Sequence, residues 1–67
     1  MSIKFEIYKE MFEMSRDEKR GLTVYFSGQM IAGVVVEIIE ARAIEMRSRE
    51  FSRIVLCVEA IDALAVG

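Results

Sequence analysis

Chemistry in this chain has to come from carboxylates, cations, two tyrosines and one thiol, because its 67 residues contain no histidine and a single cysteine, Cys57. A cysteine nucleophile needs a base beside it, and the usual one is missing. Cys57 stands in an apolar run and is expected in the core, where free cysteine is commonly buried. A zinc site needs several Cys or His ligands at set spacings, so no metal is expected. Glu37 and Glu40 could imitate a pair of catalytic carboxylates, but no positioned partner accompanies them; Glu37 reads as the outward residue of a strand. Gly28 and Gly33 lack the lysine that would make a phosphate-cradling loop. The expectation is a protein that is not an enzyme and takes no cofactor.

The cations are more suggestive. Arg42, Arg47, Arg49 and Arg53 lie within twelve residues, and arginines so gathered suit the phosphates of a nucleic acid. Lys19 and Arg20 would extend such a patch, or else terminate a helix favourably. The plainer reading is an ordinary charged surface, because Glu45 and Glu50 are interleaved with the arginines.

These side chains must be held by short elements. Residues 3–17 form an amphipathic pattern, with Ile3, Phe5, Ile7, Tyr8, Met11, Phe12 and Met14 on one side of a helix and Glu6, Lys9, Glu10, Glu13 and Asp17 on the other. Ser2 is its expected N-cap, and the charged stretch Ser15 to Gly21 its stop. A strand over Ile3, Phe5 and Ile7 is the rival, but Met11, Phe12 and Met14 break the alternation. From Leu22 the residues become β-branched and aromatic. "SGQ" at 27–29 marks a turn, Met30 to Ile39 a long strand, and Glu40-Ala41-Arg42 a polar break. Ile44 and Met46 then alternate with Glu45 and Arg47. Ile54 to Val58 and Ala63 to Val66 complete five strands. A helix over residues 40–50 is the alternative, since those residues are good helix formers, but their apolar members do not gather on one face. Short links force antiparallel pairing, and five short, strongly bent strands over one small core make a barrel spanning about 22–66. Gly33 stands where the long strand must bend to serve both halves of that barrel, a place for a residue without Cβ.

The whole chain, 1–67, is expected to be one domain. A domain this small buries only about 60% of its unfolded surface, yet 54% of the residues are hydrophobic, so self-association is expected to hide the remainder. The formal charge of −2 disfavours a dedicated, strongly basic nucleic-acid binder. Met30 to Val36, the longest apolar stretch, is too short to span a bilayer, and the opening "MSIKFEIYKEMFEM" is too acidic for a secretory signal. With its unpaired thiol, the chain is expected in the cytoplasm.

Three segments resemble the Sm-like family, and within it the bacterial Hfq branch. "VYFSGQMIAGVVVEI" is similar to the family's first hairpin, "ARAIEMRS" to its third strand, and "RIVLCVEAIDALAV" to its paired last strands; a helix ahead of the barrel fits as well. The resemblance implies an SH3-like small barrel that forms a ring of six or seven copies, the fourth strand of each, here Ile54–Val58, pairing with the fifth, Ala63–Val66, of the next. It also implies single-stranded RNA on the ring faces, with bases stacked on side chains and phosphates met by basic residues. Carried over residue by residue, the positions are Tyr25, Gln29, Glu40, Arg42 and Glu59; Arg47, Arg49 and Arg53, the basic patch read above from the residues themselves, would form a rim beside them.

The chain departs from the family at several of these positions. Val58 and Glu59 replace a Lys-His pair, putting carboxylates where the family touches uridine. The Glu40–Arg42 link has no stacking platform. Tyr25 is one residue nearer the glycine than the family's stacking tyrosine, a change of face on a strand. Two functions follow as expectations. The first is a ring-forming RNA-binding or RNA-chaperone module with a divergent site. The second is an Sm-fold scaffold that has lost RNA and serves a protein partner.

Overall fold

A computed structural model describes residues 3–66. It has an N-terminal helix followed by a five-stranded antiparallel sheet. The elements are α1 (Ile3–Glu18), β1 (Leu22–Phe26), β2 (Gln29–Ile39), β3 (Ala43–Ser48), β4 (Ile54–Cys57), a single 3₁₀ turn (Val58–Ala60) and β5 (Ala63–Val66). The spatial order is β4-β3-β2-β1-β5. Residues 43–48 are therefore strand, and the helix alternative for 40–50 is overturned. The expected N-cap, Ser2, lies outside the described residues. Among the described residues no helix is long and apolar enough to cross a membrane.

α1 ends because Lys19 takes a left-handed backbone, φ 55°, a common way to stop a helix. Phe5 and Phe12 are buried on one side of it, and Tyr8 packs edge-on to Phe12 at a ring separation of 6.0 Å. These rings meet a core of Leu22, Val24, Ile31, Val35, Ile44, Met46, Leu56, Val58 and Ile61. The apolar side of the helix is narrower than its pattern implied. Ile3 and Ile7 are 78% and 67% exposed, because the helix covers the sheet with the stripe through Phe5, Tyr8, Met11, Phe12 and Ser15, and they lie on its other side.

β2 is the strand on which the sheet turns. Its first part pairs with β1 and its remainder with β3, and Gly33 belongs to both ladders, opposite Leu22 and Ser48. A Cβ on Gly33 would overlap the Arg47 carbonyl oxygen and lie 2.9 Å from the carbonyl carbon. The glycine thus permits a close backbone approach at the point where the strand changes partner. A bulge at Val36 follows. Here Ser15, 1% exposed, accepts a hydrogen bond from the Val35 N–H (3.0 Å) and donates one to the Arg20 carbonyl (2.8 Å). One buried hydroxyl therefore joins the end of α1 to the middle of β2.

Both hairpins of β2 turn through left-handed residues. The β1–β2 turn uses Ser27 (φ 50°) and Gly28 (φ 73°), as two-residue hairpins prefer. The β2–β3 turn uses Glu40 (φ 50°) and Ala41 (φ 58°), closed by the Arg42 N–H donating to the Ile39 carbonyl at 2.9 Å. Neither of its central residues is glycine or asparagine, so this turn carries backbone strain.

Cys57 is exposed, which corrects its expected place in the core. β4 alternates, so Leu56 points inward and its neighbours Val55 and Cys57 point out. The strand ends there, one residue earlier than expected. Val58 is buried in the 3₁₀ turn instead.

Candidate nucleic-acid interface

The expected site residues, Arg53 excepted, divide among three depressions set by the ends of the strands. Arg47, near the end of β3, and Arg49, one residue past it, flank Ser48. They line a groove of about 590 Å³ with Arg16, Lys19 and Ser48, over a floor of Val34, Val35 and Val36. Arg16 and Lys19 arrive from the end of α1, held there by the Ser15 bridge. Arg16 also donates to Asp17 from Nε at 2.8 Å, a pair in which both side chains remain well exposed. This hydrogen bond raises the Arg16 pKa and holds the Asp17 carboxyl below its usual value. The groove is thus lined by four cations, one of them shared with a neighbouring carboxylate outside the lining.

The other arginines lie elsewhere. Arg53 bonds Glu45 across 3.1 Å. Arg42 sits at the far end of β3, in a pocket of about 530 Å³ that also takes Glu40 and Glu59, and to which α1 contributes Phe5 and Glu6. Cys57 lines it too. Three carboxylates and one guanidinium surround a floor that includes Phe5, Ala41 and Val58, so the pocket is acidic. Lys4 anchors the first turn of α1 beside it, donating from Nζ to the carbonyls of Glu59 and Ile61, both at 2.9 Å. Helix residues 6 and 16 thus contribute to depressions of opposite charge, about 15 Å apart along the axis.

Tyr25 and Gln29 meet at the third place, a hollow of about 330 Å³ beside the β1–β2 turn, with Phe26, Gly28, Met30 and Asp62. Tyr25 is 40% exposed and Met30, directly opposite it on β2, 65%. Asp62 donates from its N–H to the Tyr25 carbonyl (2.7 Å) and accepts the Ser27 N–H at Oδ2 (3.1 Å), which ties the start of β5 to the hairpin turn.

The arrangement therefore joins Tyr25 with Gln29, Glu40 with Arg42 and Glu59, and Arg47 with Arg49, but leaves Arg53 apart. Sequence reasoning missed Arg16 and Asp62. For Arg16 a signal existed, since it precedes Lys19 by three residues, a spacing that puts side chains near each other at a helix end. For Asp62 there was none, because its role depends on where β5 docks. Among the described residues no group of Cys, Asp and Glu is arranged to hold a metal ion. In comparisons with known proteins, no family model matches the chain and no curated protein matches its sequence.

Proposed function

We propose that this chain is an Sm-like protein that assembles into a ring and binds single-stranded RNA, with the phosphates in the Arg16–Lys19–Arg47–Arg49 groove. The observation that carries the reading is that groove. Two separate elements deliver cations to one depression, among the described residues no carboxylate lines it, and phosphate contacts are the main source of affinity for nucleic acid.

The ring rests on the sheet order. β4 and β5 are its two ends, and each leaves a row of backbone groups for another chain to pair with. Pairing β4 of one copy with β5 of the next covers both edges, draws the bent sheet into a continuous barrel wall and repeats the groove once per subunit. Weak contacts at each groove then add up through avidity.

A second reading, a scaffold that binds protein and not RNA, is favoured by one observation. The pocket holding Glu40 and Glu59 has the wrong sign for phosphate. On the RNA reading that pocket takes no nucleic acid, and the RNA runs along the basic groove instead.

Fluorescence anisotropy with labelled oligo-U and oligo-A at two salt concentrations tests the choice. Saturable binding that weakens with salt is expected. The double variant Arg47→Ala/Arg49→Ala should weaken it by about tenfold or more and flatten the log–log salt slope by about 1.4, the value for two lost phosphate contacts on a single strand. No salt-sensitive binding at micromolar protein leaves the scaffold reading. Light scattering tests the ring separately, and a well-folded 7.7 kDa monomer would remove it.

A further inference from the structure

The hollow beside the β1–β2 turn has the parts of a base-reading site, and we infer that it selects guanine in single-stranded RNA. The inference rests on the RNA reading above but uses different residues from the phosphate groove and does not require the ring.

The stacking surface is Tyr25. On β1 it faces outward with Thr23, and its cross-strand partners are Met30 on β2 and Ala63 on β5. Met30 rises on one side. Ala63, on the other, is exposed and adds nothing beyond Cβ, and Tyr25 itself is 40% exposed. A base can lie against this ring as bases lie on aromatic platforms elsewhere, a contact that tolerates any base.

Discrimination comes from Asp62. Its position is fixed at two points, by the N–H bond to the Tyr25 carbonyl and by the Oδ2 bond from the Ser27 N–H. An ionised carboxylate only accepts, and its two oxygens offer about four lone-pair sites. Ser27 takes one of these, so both oxygens keep capacity. Among the four bases, only guanine presents two adjacent donors on its Watson–Crick edge, N1–H and N2–H. Adenine and cytosine each set an acceptor nitrogen beside their amino group. Uracil flanks its one N–H with carbonyls. A fixed carboxylate therefore attracts guanine bidentately and meets a lone pair on each of the others. Gln29, in the same hollow, supplies an amide N–H for the guanine O6. The hollow, about 330 Å³, has room for one such nucleotide.

The test uses anisotropy with three labelled 12-mers of oligo-U in which every fourth residue is guanine (U–G), inosine (U–inosine) or adenine (U–A), none of them self-complementary, in lithium salt to suppress guanine quadruplexes. Inosine keeps N1–H and lacks the 2-amino group. The expected order is U–G tightest, by about tenfold over U–A as one bidentate contact predicts, with U–inosine between. Asp62→Asn keeps an oxygen for the Ser27 N–H but turns a donor toward the base. It should erase the preference for guanine, weakening U–G and strengthening U–A, whose adenine N1 acceptor the new N–H can meet, with the circular dichroism spectrum unchanged. Tyr25→Ala should weaken all three oligonucleotides together. Equal binding of the three, or a guanine preference that survives Asp62→Asn, overturns this inference alone. No binding of any of them overturns the RNA reading and this inference with it.

Discussion

The two ends of α1 are built from similar materials and differ in sign. At its start, Phe5 and Glu6 join Glu40, Arg42 and Glu59 around an acidic pocket. Near its finish, Arg16 and Lys19 join Arg47 and Arg49 around a basic groove. The two ends are also fastened differently. Lys4 reaches out to two backbone carbonyls at the first, while a buried serine bridges to β2 at the second. A chain of net charge −2 can still present a basic face, because the fold sorts charge in space and net charge only sums it. The difference also separates the end proposed to bind phosphate from the end where the Sm resemblance implied uridine.

The largest effect should come from the strand that serves both ends. Gly33→Val forces a side chain into the Arg47 backbone and should cost about 3 kcal/mol or more, at the upper end for overpacking, removing groove and pocket together. Gln29→Ala, exposed on the same strand, should stay within about 0.5 kcal/mol. Equal melting temperatures for the two variants would contradict the role given to Gly33.

Ser15→Ala comes next and should act on the basic end alone. It leaves the Val35 N–H without its acceptor in a buried place, at about 1–3 kcal/mol. Hydrogen exchange should show the end of α1 and the middle of β2 opening more readily, with the acidic pocket protected as before. Equal loss of protection at both ends would mean that they are not separately held.

At the acidic end the expected change has the opposite sign. Ala41→Gly relieves a left-handed alanine in the β2–β3 turn and should stabilise the protein by about 1 kcal/mol, read as a higher denaturation midpoint with unchanged slope. A loss of stability would show that the turn is not strained.

Asp17→Asn gives the smallest effect and acts through charge. Asp17 holds Arg16 by a hydrogen bond, and its own pKa is lowered by that bond. Its contribution to the native state is therefore present above the unfolded-state pKa and lost as pH falls through the lower folded value. The pair is exposed, so the melting temperature should hardly move. RNA affinity should rise slightly, because Arg16 is released to the groove. Wild type should show a similar release of Arg16 on acidification, and the variant should not. An unchanged affinity in the variant would show that Arg16 was already available.

Much of this molecule is legible in its residues. The helix, the five strands and the antiparallel pairing of β1 through β4 follow from periodicity and short links, and Gly28 and Gly33 announce their own places; β5 pairs with β1, at the opposite end of the sheet from β4, and its short link to β4 gave no sign of that. Ile44 and Met46 are inward because the alternation around them is unbroken. Cys57 was misplaced for the opposite reason. A run of apolar residues from Ile54 to Val58 has no polar partner to reveal its parity, so which members face out depends on how β4 meets β3. Ile3 and Ile7, two residues either side of Phe5, lie about 160° round the helix from it and so face away from the sheet.

The sequence by itself determined which elements form, because local patterns of apolar and polar residues, glycine and left-handed turns act over a few neighbours at a time. It also supplied the arginines. Only the tertiary structure decided their grouping. It put Arg47 and Arg49 with Arg16 and Lys19, sent Arg42 to the acidic pocket and paired Arg53 with Glu45. It also brought Asp62 beside Tyr25 and Gln29. Those groupings depend on where α1 ends over β2 and where β5 docks on β1, contacts between residues some thirty positions apart or more in several cases. Charge has no periodicity that a local pattern can read across such a distance.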